Sequence, residues 1–142
     1  MEYYDIIFNG ISSTNINRFI KEILDIKQDN IISSHFWSKE SGDYEFLDNM
    51  DLCEYFSKNN TADIFAETIR LNCIYNKVVC VITSDDNDIE VDCNIAETDF
   101  DEADISELAK WLRGLCSESI ITNAKICYDA ENSPLFELFK GE

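Results

Sequence analysis

Hydrophobic positions alternate most regularly between Glu67 and Ala96. Ile69, Leu71, Cys73 and Tyr75 alternate with Thr68, Arg70, Asn72 and Ile74, the period of two that sends successive side chains to opposite faces of a strand. Asn76-Lys77 then predicts a tight hairpin, since asparagine tolerates positive φ. Val78-Val79-Cys80-Val81-Ile82 is apolar at every position, as in a central strand covered on both sides. After the turn residues Asp85-Asp86-Asn87-Asp88, Ile89, Val91, Cys93 and Ile95 alternate with Glu90, Asp92 and Asn94. The pattern predicts a central meander over about 67–96 with an acidic outer face.

The flanks read as alternating strands and helices. Tyr3 to Phe8 is a short aromatic and β-branched run closed by Asn9-Gly10, a first strand. Ile16, Phe19, Ile20, Ile23 and Leu24 follow i, i+3, i+4, i+7, i+8 and predict a helix over about 13–26, with Ser12, Ser13 or Thr14 as its cap. Ile31 to Trp37 reads as a strand, Ser41-Gly42-Asp43 as a turn, and Tyr44 to Leu47 as a brief returning strand. A short helix over about 49–58 turns Leu52, Cys53 and Phe56 inward. Residues 62–67 fit either a helix or a strand, because Ile64, Phe65, Thr68 and Ile69 also match helical spacing. The longest helix, about 104–116, buries Ile105, Leu108, Ala109, Leu112, Leu115 and Cys116, and Asp104 with Glu107 resembles a capping box. Ile120 to Tyr128 is a last strand, and Leu135 to Phe139 either packs back onto the core as one helical turn, the favoured reading, or docks on a partner. The expected fold is α+β: one domain, residues 1–142, with an antiparallel or mixed sheet and helices mainly on one face.

Charge changes the picture most. The 142 residues hold 11 Lys and Arg against 29 Asp and Glu, a net charge of −18. Such a field repels nucleic acid and anionic membranes and draws cationic partners inward. No Lys or Arg occurs between Lys77 and Lys110. Within that interval Asp85, Asp86, Asp88, Glu90, Asp92, Asp99, Asp101, Glu102 and Asp104 form the candidate partner-binding surface. Phe100, alone among these acids, is either an aromatic anchor or a core plug.

Little else points to chemistry. His35 is the sole imidazole and lies in an apolar strand beside Phe36 and Trp37, a hydrogen-bonded structural position rather than a catalytic one. The four glycines sit in no phosphate loop. Asp85 to Asp88 is oxygen-rich, but the calcium-loop register from Asp86 puts Val91 where glycine is required, so the stretch reads as an acidic turn. Six cysteines include no C-x-x-C pair and read as free, mostly buried thiols of a reduced compartment. Tyr44, Tyr55, Trp37 and Trp111 suit the lining of a pocket as well as they suit a core. No cofactor or metal is expected, and no apolar run has the length of a membrane span. The expected location is the cytoplasm.

In size, acidity and character across the whole chain, the sequence resembles the immunity proteins of bacterial toxin–immunity pairs, such as contact-dependent growth inhibition systems. That resemblance implies a non-enzymatic inhibitor that binds a cognate toxin domain, commonly a basic nuclease. Two alternatives are a DNA-mimic inhibitor of a nucleic-acid-binding protein, which should spread its carboxylates over helices, and a small-molecule-binding domain, which needs a pocket with convergent polar groups.

Overall fold

A computed structural model describes residues 2–40, 42–128 and 134–139. Among them eight strands form one sheet in the order β3-β2-β4-β5-β6-β1-β7-β8, with every neighbouring pair antiparallel. The strands are β1 (Tyr3–Ser12), β2 (Ile31–Ser38), β3 (Gly42–Tyr44), β4 (Thr61–Arg70), β5 (Ile74–Asp85), β6 (Asp88–Ala96), β7 (Asn123–Tyr128) and β8 (Phe136–Phe139). The helices are α1 (Ile16–Arg18), which continues as a π turn over Phe19–Ile23, then α2 (Leu52–Phe56) and α3 (Ile105–Ser117). The α+β expectation holds, with the sheet wholly antiparallel.

The helices pack on one side. Phe8 of β1 meets Phe19 at 5.0 Å between ring centroids and Trp111 of α3 at 6.1 Å, both edge-on. Phe36 of β2 meets Tyr55 of α2 at 5.1 Å. Beneath them inward residues run in rows across the strands. Ile64, Cys80, Cys93, Ile6 and Ile126 make one such row, and Phe36, Ala62, Ile82, Val91, Phe8 and Ala124 make the next; all are buried. Full burial of an aliphatic or aromatic side chain contributes roughly 1.5–3 kcal/mol, so these rows dominate the fold's stability.

Several boundaries differ from the pattern-based expectation. The meander begins at Thr61, which makes 62–67 a strand, and its first turn lies at Leu71 to Cys73 instead of Asn76-Lys77. Inward residues are three apart at one point on both partners, Ala66 and Ile69 on β4 against Val78 and Tyr75 on β5. Lys77, at φ 52°, marks this kink. The slip makes β4 imitate helical spacing. The turn over Asp86-Asn87 has both residues at positive φ, as a two-residue hairpin of right-handed twist requires. Helix 13–26 is shortened to 16–23, where Leu24 N–H donates to Phe19 O at 2.9 Å in the wider π pattern. Within the stretch Leu135 to Phe139, Phe136–Phe139 forms an edge strand, not a helical turn. Ser41 of the predicted turn and residues 129–133 of the tail lie outside the described residues.

Two further corrections concern side chains. Among the cysteines Cys73 is exposed, whereas Cys80 and Cys93 are buried cross-strand partners with sulfurs 3.5 Å apart; all six are free thiols. Asp104 makes no capping hydrogen bond; Asp101 accepts from Ala103 N–H at 2.9 Å and caps the 3-10 turn that precedes α3. At β1 a bulge between Phe8 and Ile11 is built on Gly10 at φ 72°. A Cβ there would lie 1.9 Å from Thr122 Oγ1, so only glycine fits.

Candidate functional site

Strand alternation that buries one set of residues exposes the other, and none of the described helices covers the opposite sheet face. Val79 and Val81 of β5 point outward and are 36% and 41% exposed. The expectation of a strand covered on both sides is therefore overturned: Val78, Cys80 and Ile82 face the core, and the two valines face solvent. One outward row runs His35, Asp63, Val81, Asp92, Ile7 and Lys125 from β2 to β7. The row beside it runs Ser33, Phe65, Val79, Asn94, Asp5 and Cys127. The face has an apolar centre surrounded by carboxylates.

The predicted acidic residues fall in three places. Asp85, Asp86 and Asp88 sit at the β5–β6 hairpin, where Asp86 N–H donates to Asn59 Oδ1 at 3.0 Å. Glu90 and Asp92 point outward from β6. Asp99, Asp101, Glu102 and Asp104 occupy the 3-10 turns beyond the other end of that strand. The nine residues of β6 separate hairpin from turns by roughly 27 Å, at about 3.3 Å per residue. Hairpin and turns thus form separate acidic ends, joined along the sheet face by Glu90 and Asp92. Asp85, Asp88 and Glu90 also line a shallow cleft of about 250 Å³ beside the β1 bulge.

Not every acid in the turns is free to meet a partner. Glu102 Oε1 accepts from Tyr4 Oη at 2.7 Å, and Asp101 is occupied as a cap. Phe100 is buried against Tyr4 at 4.4 Å and Tyr75 at 6.0 Å, so it plugs the core.

Asp92 is electrostatically the most perturbed of the outward acids. Its carboxyl is pushed up to about 7, chiefly by burial, then by the charge of Asp5 and a hydrogen bond to it; Glu90 adds to this and Lys125 opposes it. Its Oδ1 is buried without a hydrogen-bond partner. Asn94 Nδ2 meanwhile donates to Asp5. Composition and spacing around β6 did not single out Asp5 and Asp63, which lie far from it in sequence, on β1 and β4. Placing Ala62, Ile64 and Ala66 inward assigns Asp63 to the outer face, but the slip in β4 hid that phase.

His35 is hydrogen-bonded, as expected, but to an acid on the open face of the sheet. Its ring is exposed and its Nδ1 lies 2.7 Å from Asp43 Oδ2, an arrangement that raises its proton affinity through the hydrogen bond and the aspartate charge. A cavity of about 690 Å³ lies where β2 meets α2, lined in part by Trp37, Tyr44, Met50, Glu54 and Tyr55. Trp111 lies instead in a smaller hollow with Arg18 and Arg70. Among the described residues no group of three or more His, Cys, Asp or Glu is placed to hold a metal ion, and no helix is long and apolar enough to cross a membrane.

Comparison with known proteins brings an assignment to this geometry. No curated protein sequence matches the chain. In structure it is similar to a chain of the 1.75 Å crystal structure of the toxic C-terminal tip of CdiA from Pseudomonas aeruginosa in complex with immune protein. The TM-score is 0.75 at 16% identity, over 96% of this chain and 95% of that one, a likeness of fold. Residues 2–130 match the model of the family described as PABL017 Cdi1I immunity protein, and the chain belongs to that family of immunity proteins.

Proposed function

We propose that this protein neutralises a toxin domain by binding it. The match over residues 2–130 to an immunity protein family carries this reading. The partner is a basic domain of nuclease type, because an active site built for phosphates presents the field that a protein of net charge −18 attracts. Inhibition follows from occupying the toxin, not from catalysis, and takes place in the cytoplasm, where such a toxin would meet nucleic acid. The acids of β6, its hairpin and the turns before α3 supply the long-range attraction, including Asp86, Glu90, Asp92 and Asp99.

Co-expression tests this directly. Cells that express the toxin domain encoded beside this chain should die without it and survive with it, and the purified pair should associate more slowly as salt rises. Equal killing with and without the chain, or no association between the purified proteins, would remove the reading.

A further inference from the structure

We propose that the toxin domain docks on the uncovered sheet face, with a cationic side chain presented among apolar residues meeting the strip around Val79 and Val81. This inference rests on the immunity reading and specifies which surface serves it.

The first support is burial. Solvated faces of antiparallel sheets normally carry polar side chains. Here Val79 and Val81 follow one another on a central strand, with the half-buried Phe65 directly across from Val79. A contiguous apolar strip on an open face marks an interaction site more often than a scattered exposed residue does.

Charge selects the occupant. Asp63 and Asp92 flank Val81 in its own row, and Asp5 and Glu90 lie on the same face. A second copy of this chain would bring two bodies of charge −18 together on these acids, which disfavours self-association. A basic partner gains from the same field. An apolar centre inside a charged rim is the usual anatomy of a protein interface, with most binding energy at its centre.

Asp92 supplies the specific feature. Its buried Oδ1 lacks a donor, and its neighbour Asp5 opposes its ionisation. An arriving guanidinium or ammonium sets a positive charge beside the Asp92–Asp5 pair and relieves that repulsion. Addition of a partner strand at a sheet edge is less suited here, since the edge strands β3 and β8 have only 3 and 4 residues.

The test uses the whole chain and the toxin domain encoded beside it, made inactive for handling. Titration of the wild-type pair comes first; absence of binding defeats the immunity reading and this proposal with it. Given binding, Val79→Lys and Val81→Lys should each weaken it about 30-fold or more, as loss of a central contact does. Asp92→Asn should weaken it about tenfold, the scale of one close charge pair across an interface. The double variant Asp86→Asn, Asp99→Asn at the two acidic ends should slow association and flatten its salt dependence while leaving the dissociation rate constant within about twofold, because rim charges act mainly on encounter rate. Carboxyl footprinting of the wild-type complex gives a second measurement that needs no variant: Asp63 and Glu90 should be protected and Asp86 should not. Wild-type affinity in both lysine variants would overturn the proposal while leaving the immunity reading intact. Protection confined to Asp86 and Asp99, or a free chain that is a dimer through this face, would do the same.

Discussion

At the residue scale, Asp92 shows how a carboxyl group drawn into the sheet can burden the folded protein. Its folded-state pKa of about 7 lies above the unfolded value of about 3.9. Below about pH 4 both states hold the proton and the group is neutral to stability. Between about 4 and 7 the unfolded chain gives it up while the folded chain retains it, so the contribution falls as pH rises through the folded pKa. Asp92→Asn cannot ionise and should abolish that decline. Urea midpoints should be higher for the variant at pH 8 and nearly equal to wild type at pH 4. An equal gain at both values would trace the effect to the new amide's hydrogen bonds instead. Sequence alone placed Asp92 outward, because period two is unambiguous along β6. Its pairing with Asp5, 87 positions earlier, depends on which strands are neighbours, and local pattern does not encode that.

At the scale of elements, α3 is the most legible. Leu108, Ala109, Leu112 and Leu115 are its buried residues, and Ile105 and Cys116 at its ends are only partly buried. Leu112→Ala should cost about 2–5 kcal/mol through lost burial and an unfilled cavity. Lys110→Ala, on the exposed side, should cost well under about 1 kcal/mol. Chemical denaturation measures both, and equal losses would mean the helix is rotated. The helix starts where expected, with Asp104 at its N-cap position, but the capping box was misread: Asp104 makes no capping hydrogen bond, while Asp101, three residues earlier, caps the preceding turn. The β4–β5 pair was misread for a related reason: a simultaneous slip on both strands preserves their register yet breaks the alternation from which each would be recognised alone. That slip also concealed the outward setting of Asp63 beside Val81.

At the scale of the whole molecule, charge rather than topology sets the response to conditions. A net charge of −18 on 142 residues repels itself in the folded state more strongly than in an expanded chain. Raising salt from about 0.02 M to about 0.5 M shortens the screening length to a few ångströms and should raise Tm by about 5 °C. A scan against salt, with a neutral osmolyte as control, checks this; a flat or falling Tm would mean that opposite-charge contacts outweigh the repulsion. The α+β class and the placing of helices on one face were within reach of periodicity, and a resemblance in size, acidity and character suggested the immunity family. Strand order was not, since β1 lies between β6 and β7, and such long-range pairing leaves no local trace. The uncovered face stayed hidden because an all-apolar strand reads as covered on both sides, whether or not anything lies above it.

The alternation of inward and outward rows separates two kinds of constraint along each strand. Inward positions such as Cys80, Ile82 and Val91 must fit one another, whereas exposed outward positions such as Val79 and Val81 are free of that packing constraint. A lineage can therefore rewrite many outward residues without relearning how to fold. A shared architecture at TM-score 0.75 with only 16% identity is what such freedom permits.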